Sequence, residues 1–445
     1  MAELKLKQTK TDALRYEPIP RLVLRFASST MLALLFSSAY TLMDALFVSW
    51  GVGDTAMGGV SVVFPFVVLQ GAIASAVGGG AASIVSRKLG AGKPEEAGEV
   101  TLNAMAVFYG TAIVTTVLSF LLIDPLLAGM GVTEDLLPFA KQYFYIILAG
   151  NVFSTGFSNI IRAEGKMLYG LLIWVIPISV NIVLDIIFIF GLGWGVRGSA
   201  LSTVICQFAS FSMSMLFFTK FTSQKFRGAK ISFRRIGQIL AIGLPSLIQM
   251  GSLSIMSALL NNVLGSVGGT LGVTTFAYIS KIVTFAIVPL TAFAQALAPI
   301  VGYNHGVGDK TRVKKTILLC TLLSVGYALL ALVLAQAIPQ YLMRIFTSDS
   351  EIIALGAGGL RVIALSLLFM PVPMLAGTAF QAIGKMAWAF IMYAANLVFL
   401  IPAALLMARA MGVNGVWWAY VIANALAGAV VPIYWAVYKN RNQDR

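Results

Sequence analysis

Two aspartates interrupt apolar runs long enough to cross a membrane, and both lie in the first half of the chain. Asp44 sits within FASSTMLALLFSSAYTLMDALFVSW, and Asp185 within LLIWVIPISVNIVLDIIFIFGLG. A carboxylate at the bilayer centre costs roughly 2.5–3.5 kcal/mol on insertion scales, so it is tolerated where it faces a partner or a wet cavity, and it marks an ion or proton path. Apolar surroundings disfavour its charged form, which suits a group that takes up and releases a cation. Polar side chains accompany both acids at helical spacing. Ser37, Tyr40, Thr41 and Asp44 share a face of the first span; Pro177, Asn181 and Asp185 share a face of the fifth; Thr203 and Gln207 pair on the sixth. Buried polar groups must find one another, so the first half is expected to gather them into one cluster. The same acids would also serve simply to lock two helices together.

The elements that must carry these residues are membrane helices. Of 445 residues, 59% are hydrophobic and only 11% charged, with a mean hydropathy of +0.89. The apolar residues fall in runs of about 20, the length that crosses a bilayer as a helix. Twelve runs are predicted, from 22–50 to 414–438, and the short alternating strands of a β-barrel do not occur. The expected fold is an all-α membrane protein. The net charge of +14 reflects topology rather than a nucleic-acid partner. Lysines and arginines gather before the first span, in alternate loops and in the tail. Only Lys141, Arg197, Arg344, Arg361 and Arg409 fall on the other side, with Lys281 inside a span. That asymmetry places both termini in the cytoplasm. Cys206 and Cys320 lie inside predicted helices with no disulfide or metal spacing, and His305 is the only histidine.

The chain repeats itself. GAGK at 90–93 returns as GVGD at 306–309, EGKM at 164–167 as IGKM at 383–386, and GVRG at 195–198 as GVNG at 412–415. Each half holds six spans, an even number, so the halves enter the membrane in the same orientation, as in parallel-repeat transporters. The expected division is a first six-helix lobe over 1–219 with the cation site, a basic cytoplasmic linker over 220–236, and a second six-helix lobe over 237–445. The linker's charge is explained by topology, although a polybasic juxtamembrane stretch also suits anionic lipid. The acids have no counterparts in the second half: the positions matching Asp44 and Asp185 fall at Leu260 and among 402–404. The repeat is symmetric in structure and asymmetric in chemistry. Methionines and aromatics such as Met250, Met256, Phe64, Phe153 and Phe157, with Tyr40 beside Asp44, suit a pocket for varied hydrophobic cations. Lys281 either lines that pocket, opposing a cationic substrate, or snorkels to the interface.

The stretches NIVLDIIFIFGLGWGVRGSALSTVICQ (181–207), IIRAEGKM (160–167) and RKLGAGKPEEA (87–97), with the Asp44 helix and GYNHGVGD, resemble the multidrug and toxic compound extrusion family, MATE, over nearly the whole chain. The resemblance implies two six-helix lobes in a V shape that export drugs in exchange for protons or sodium. In the DinF-like branch, a first-helix aspartate and a fifth-helix asparagine–aspartate pair organise the cation site. Those roles carry over to Asp44, Asn181 and Asp185, with Thr203 at a sixth-helix polar position and Asn159 matching a fourth-helix one. The NorM-like branch relies on acids in spans seven and eight, which this chain lacks.

The resulting expectation is a proton-coupled antiporter, not an enzyme, expelling amphipathic organic cations from a prokaryotic cytoplasmic membrane by alternating access. It works as a monomer among membrane lipid, without a cofactor. Sodium remains an alternative coupling ion at Asp44, Asn181 and Asp185, and a lipid or oligosaccharide flippase of the same superfamily is the alternative function. Paired metal-ligand histidines and a nucleophile–base pair are missing from the sequence, which disfavours an intramembrane enzyme.

Overall fold

The computed structural model describes residues 13–129, 135–153, 156–345, 347 and 349–443. In chain order the helices are α1 (Ile19–Val52), α2 (Asp54–Gly90), α3 (Pro94–Leu121), α4 (Ile123–Gly129), α5 (Leu137–Gly150), α6 (Phe157–Ala163), α7 (Met167–Asp185) and α8 (Gly195–Leu216). They continue as α9 (Phe233–Val307), α10 (Lys310–Ala337), α11 (Pro339–Arg344), α12 (Ser350–Ala364), α13 (Pro371–Ala382), α14 (Met386–Met411) and α15 (Val413–Gln443). Among the described residues, 11 helical stretches are long and apolar enough to cross a membrane. The expected seventh and eighth spans both lie in α9, which is broken at Gly269, where φ is 57° and ψ −153°.

The internal repeat is written in the backbone. Gly92 and Gly308, Gly165 and Gly384, and Gly195 and Gly412 all take positive φ, at the junctions where the three sequence matches fall. A fourth pair, Gly53 and Gly269, joins them at the 216-residue offset that separates Gly92 from Gly308. These turns need a left-handed residue, which glycine supplies without the Cβ clash. The fourth and tenth spans break alike, through 3₁₀ turns at Asn151–Phe153 and Leu365–Leu368. Asn151 secures the first break: its amide donates to the Thr115 and Thr116 hydroxyls at 3.1 and 3.2 Å.

The chain forms two compact units, and their boundary does not fall at the linker. Among the described residues, the first unit comprises those within 13–17, 28–243 and 302–308, and the second those within 18–27, 244–301 and 309–443. The core of the first unit packs around Phe144, which meets Phe66 edge to face at 4.9 Å. Its helices approach to backbone contact through glycine: Gly80 lies against the Ile239 carbonyl, Gly243 against Ala76, Gly90 against Tyr303 and Gly306 against Arg87. The core of the second unit is built on Trp417, stacked on Phe276 at 6.1 Å and packed beneath Ile279 and Leu360. Its α12 starts at Asp349, whose carboxylate accepts from the Glu351 and Ile352 N–H groups at 2.8 and 3.2 Å.

Candidate cation site

Three helices of the first unit build the site. Helix α1 delivers Asp44, and α7 delivers Asn181 and Asp185 one turn apart near its end. After Asp185 the helix widens into a π-helical turn, Ile186–Gly191, a feature that recurs at functional positions. The chain then reverses through Gly193 and Gly195, with φ of 66° and 57°. The Trp194 N–H closes this reversal on the Phe188 carbonyl at 2.9 Å, and the two rings stack at 5.0 Å. Gly198 lets α8 press onto Phe188; an added Cβ would stand 2.9 Å from the Phe188 Cβ. The first turns of α8 are thereby laid beside the end of α7, and Ser199 and Ser202 meet the two acids.

Asp185 is fully buried and Asn181 is 1% exposed, while Asp44 is half-buried. The Ser202 hydroxyl donates to Asp185 Oδ1, and the Ser199 hydroxyl donates to Asp44 Oδ1 at 3.3 Å. With its amide turned to suit its neighbours, Asn181 donates to Asp185 Oδ2 at 2.9 Å and accepts from the Thr203 N–H at 3.2 Å. Ser199 and Ser202 lie one turn apart on α8, so the two carboxyl groups are held against the same turn of that helix. Among the described residues neither forms an ion pair with a lysine or arginine, and no group of three or more His, Cys, Asp or Glu residues could hold a metal ion. Two like charges in an apolar span are costly unless a proton or small cation is supplied to them. The arrangement can therefore take up and surrender positive charge.

The structure sorts the remaining predicted residues. The Thr203 hydroxyl is buried beside the phenols of Tyr40 and Tyr143, and its oxygen completes no hydrogen bond among the described residues. Tyr40 is half-buried one turn from Asp44. Asn159 does not join the group. Its Oδ1 accepts from Arg162 Nη2 at 2.5 Å, near the end of α6. Since α7 must climb from that end, Asp185 stands roughly 20 Å further along the axis at 1.5 Å per residue. Phe157 is likewise a core side chain rather than a pocket wall: it is fully buried and edge-packed against Phe108 and Phe218 at 5.2 and 5.5 Å. Phe153 is half-buried against Phe208 and Phe211. Met250 is half-buried, and Met256 packs on the core of the second unit. Lys281 is exposed, with Nζ 5.6 Å from the Tyr278 ring centre. The side chain of Phe64 lies outside the described residues.

Ser199 and Ser202 are the site residues that the sequence reading missed. Their signal was present as an i, i+3 pair adjoining Thr203 in the helix that follows GVRG. Cys206, on the same helix, donates its thiol to the Pro177 carbonyl at 2.9 Å, a packing role.

Comparison with known proteins agrees with this architecture. The chain is 24% identical over 419 residues to the Multidrug export protein MepA of Staphylococcus aureus (strain MRSA252), spanning 92% of each. It superposes with a TM-score of 0.89 and 26% identity, over 98% of both chains, on a structure described as the outward-facing conformation of a multidrug resistance MATE family transporter of the MOP superfamily. A MOP superfamily transporter from Pyrococcus furiosus, whose reverse polarity of binding pocket is said to suggest a different function, matches at 0.89 and 25%, again over 98% of both chains. The MatE family model covers residues 30–187 and 245–406, so both halves and the Asp44–Asp185 helices fall within it. The chain is a membrane transporter rather than an enzyme, and it belongs to the MatE family.

Proposed function

We propose that this protein is an antiporter of a prokaryotic cytoplasmic membrane that expels amphipathic organic cations in exchange for protons bound at Asp44 and Asp185. The observation that carries the reading is the pair of carboxyl groups held against one turn of α8, supplied with hydroxyl and amide donors and with no ion-pair partner among the described residues. A multidrug role is supported by the MepA likeness and by the adaptable methionine and aromatic side chains that line the spans. Protons are favoured over sodium because spans seven and eight carry no acid that could build a second-lobe sodium site. The charge asymmetry of the loops supports cytoplasmic termini, and the repeat within one chain supports a monomer that alternates between its two openings.

The test is transport in sealed vesicles of the purified chain. A monovalent organic cation is loaded inside inverted vesicles or taken up against an imposed pH gradient in nominally sodium-free buffer, then with a sodium gradient at uniform pH. Uptake driven by the pH gradient alone is the expected result. Uptake that ignores the pH gradient and requires sodium would assign the same residues to sodium. Transport of a polyprenyl or oligosaccharide lipid, with no response to organic cations, would replace the drug reading with the flippase one.

A further inference from the structure

The segment joining α8 to α9 is not a slack tether. Residues 222–232 carry no helix, yet hydrogen bonds fasten them to the rest of the first unit at 222–225 and again at 230 and 232. Glu164 is fully buried and accepts three of them: from the Thr222 hydroxyl at 2.5 Å, the Ser223 N–H at 2.7 Å and the Gln224 amide at 2.7 Å. Thr101 donates to Gln224 Oε1 at 2.6 Å. Asn103 holds both sides of the next stretch, donating to the Lys230 carbonyl at 2.9 Å and accepting from the Ser232 N–H at 2.7 Å. The Lys225 N–H reaches the Pro94 carbonyl at 3.1 Å, and Gly98 makes room for the Lys225 carbonyl.

This strap has a second face. Phe233 is 92% exposed, Ile231 64% and Phe221 49%. Lys220, Arg227, Lys230 and Arg234 are exposed among them. The cations that face the first unit are neutralised, Lys225 by Glu95 at 2.8 Å and Arg235 by Glu99 at 3.4 Å. The outward four have no carboxylate partner among the described residues. The strap leaves the sixth span at its end, Phe221, which sets its start at the boundary of the apolar layer, and it runs into α9 at Phe233. Aromatic and branched apolar tips interspersed with lysine and arginine, held at that depth, match the interfacial zone of a bilayer. Unpaired cations there select anionic headgroups.

We propose that residues 220–234 form a fixed lipid-binding strap, in which Lys220, Arg227, Lys230 and Arg234 bind the headgroups of anionic phospholipid while Ile231 and Phe233 enter the edge of its acyl layer. The strap's backbone is already ordered by Glu164, Thr101 and Asn103, so lipid binding need not pay for folding the segment. The transport reading above decides only which leaflet supplies the lipid, and binding assays are independent of it.

The experiment uses the full chain and two measurements. The first is thermal stabilisation in detergent by added phosphatidylglycerol, with phosphatidylcholine and glycerol phosphate as separate arms. Parent protein is expected to be stabilised by phosphatidylglycerol alone. The combined change Lys220→Gln, Arg227→Gln, Lys230→Gln and Arg234→Gln is expected to weaken that response by about tenfold or more. A control that neutralises Lys310, Lys314 and Lys315 instead is expected to keep it. Equal responses in parent and strap variant, equal loss in the control, or stabilisation by glycerol phosphate would each overturn the proposal. The second measurement places an environment-sensitive fluorophore at Phe233→Cys, which labels selectively because Cys206 and Cys320 are both buried. In bilayers containing phosphatidylglycerol, blue-shifted emission quenched by acyl-brominated lipid is expected. Water-like, unquenched emission would overturn the proposal even if the quadruple variant failed to fold.

Discussion

Asp44 and Asp185 reach the same point from opposite ends of the first half, and each is met there by a serine of α8. Asp44→Asn is expected to abolish gradient-driven efflux while the protein still folds and inserts, checked by drug-driven proton release from proteoliposomes beside a thermal melt. Normal proton release from that variant would remove Asp44 from the coupling path. Ser202→Ala takes a donor from a fully buried carboxyl group. Its expected cost is about 1–3 kcal/mol of stability, seen as a lower melting midpoint of the purified protein. Lys281→Met keeps most of the stem and removes the charge. If Lys281 lines the substrate path, affinity for monovalent organic cations should rise several-fold in equilibrium binding; equal dissociation constants would place it at the interface instead. The acids were legible in the sequence because carboxylates are rare in apolar spans, and the spacing of Asp185 from Asn181 shows one helix face. Ser199 and Ser202 were not, because serines are common in membrane helices and most bond to their own backbone, as Ser179 does to the Val175 carbonyl at 2.9 Å. Asn159 was grouped by family resemblance when its position, four residues from the end of α6, already fixed a different depth.

At the scale of elements, the left-handed glycines define where each helix stops. Gly165, at φ 79°, turns the chain from α6 into α7, and a Cβ there would also lie 3.2 Å from Leu14 Cδ1. Gly165→Ala should cost about 1–2 kcal/mol for the turn, read as a lower unfolding temperature with unchanged helix content. The repeated motifs made three of the four glycine pairs visible in the sequence. Gly53 and Gly269 escaped because the residues flanking them differ, GVGDTAMG at 51–58 against VGGTLGVT at 267–274, and only the backbone angles unite them. The broken fourth and tenth spans were read as continuous apolar runs for a similar reason: hydropathy records burial in lipid and is blind to a single turn of 3₁₀ helix. Phe157 illustrates the limit of composition, since an aromatic ring in a core and one in a pocket read alike until its neighbours are known.

At the scale of the whole molecule, a duplicated scaffold carries aspartates deep in its apolar spans in only one copy. The second unit keeps polar pairs such as Asn396 and Asn424, joined at 2.7 Å, but no carboxylate in α14 or in its part of α9. Asn424→Ala is expected to lower stability and leave the dependence of transport on the driving gradient intact; loss of gradient dependence would bring the second half into coupling. The strap also has a consequence for how the protein is made. Glu164 leaves the ribosome 58 to 60 residues ahead of the groups that satisfy it. At synthesis rates of about 5–20 residues per second, its carboxylate waits roughly 3–12 s. Until Thr222, Ser223 and Gln224 emerge, the nascent chain displays an unanswered acid at the foot of its fourth span, and their arrival withdraws it. Synthesis order thus leaves this carboxylate without its native donors while the fifth and sixth spans are made, and residues 222–224 bind it only after the sixth is complete.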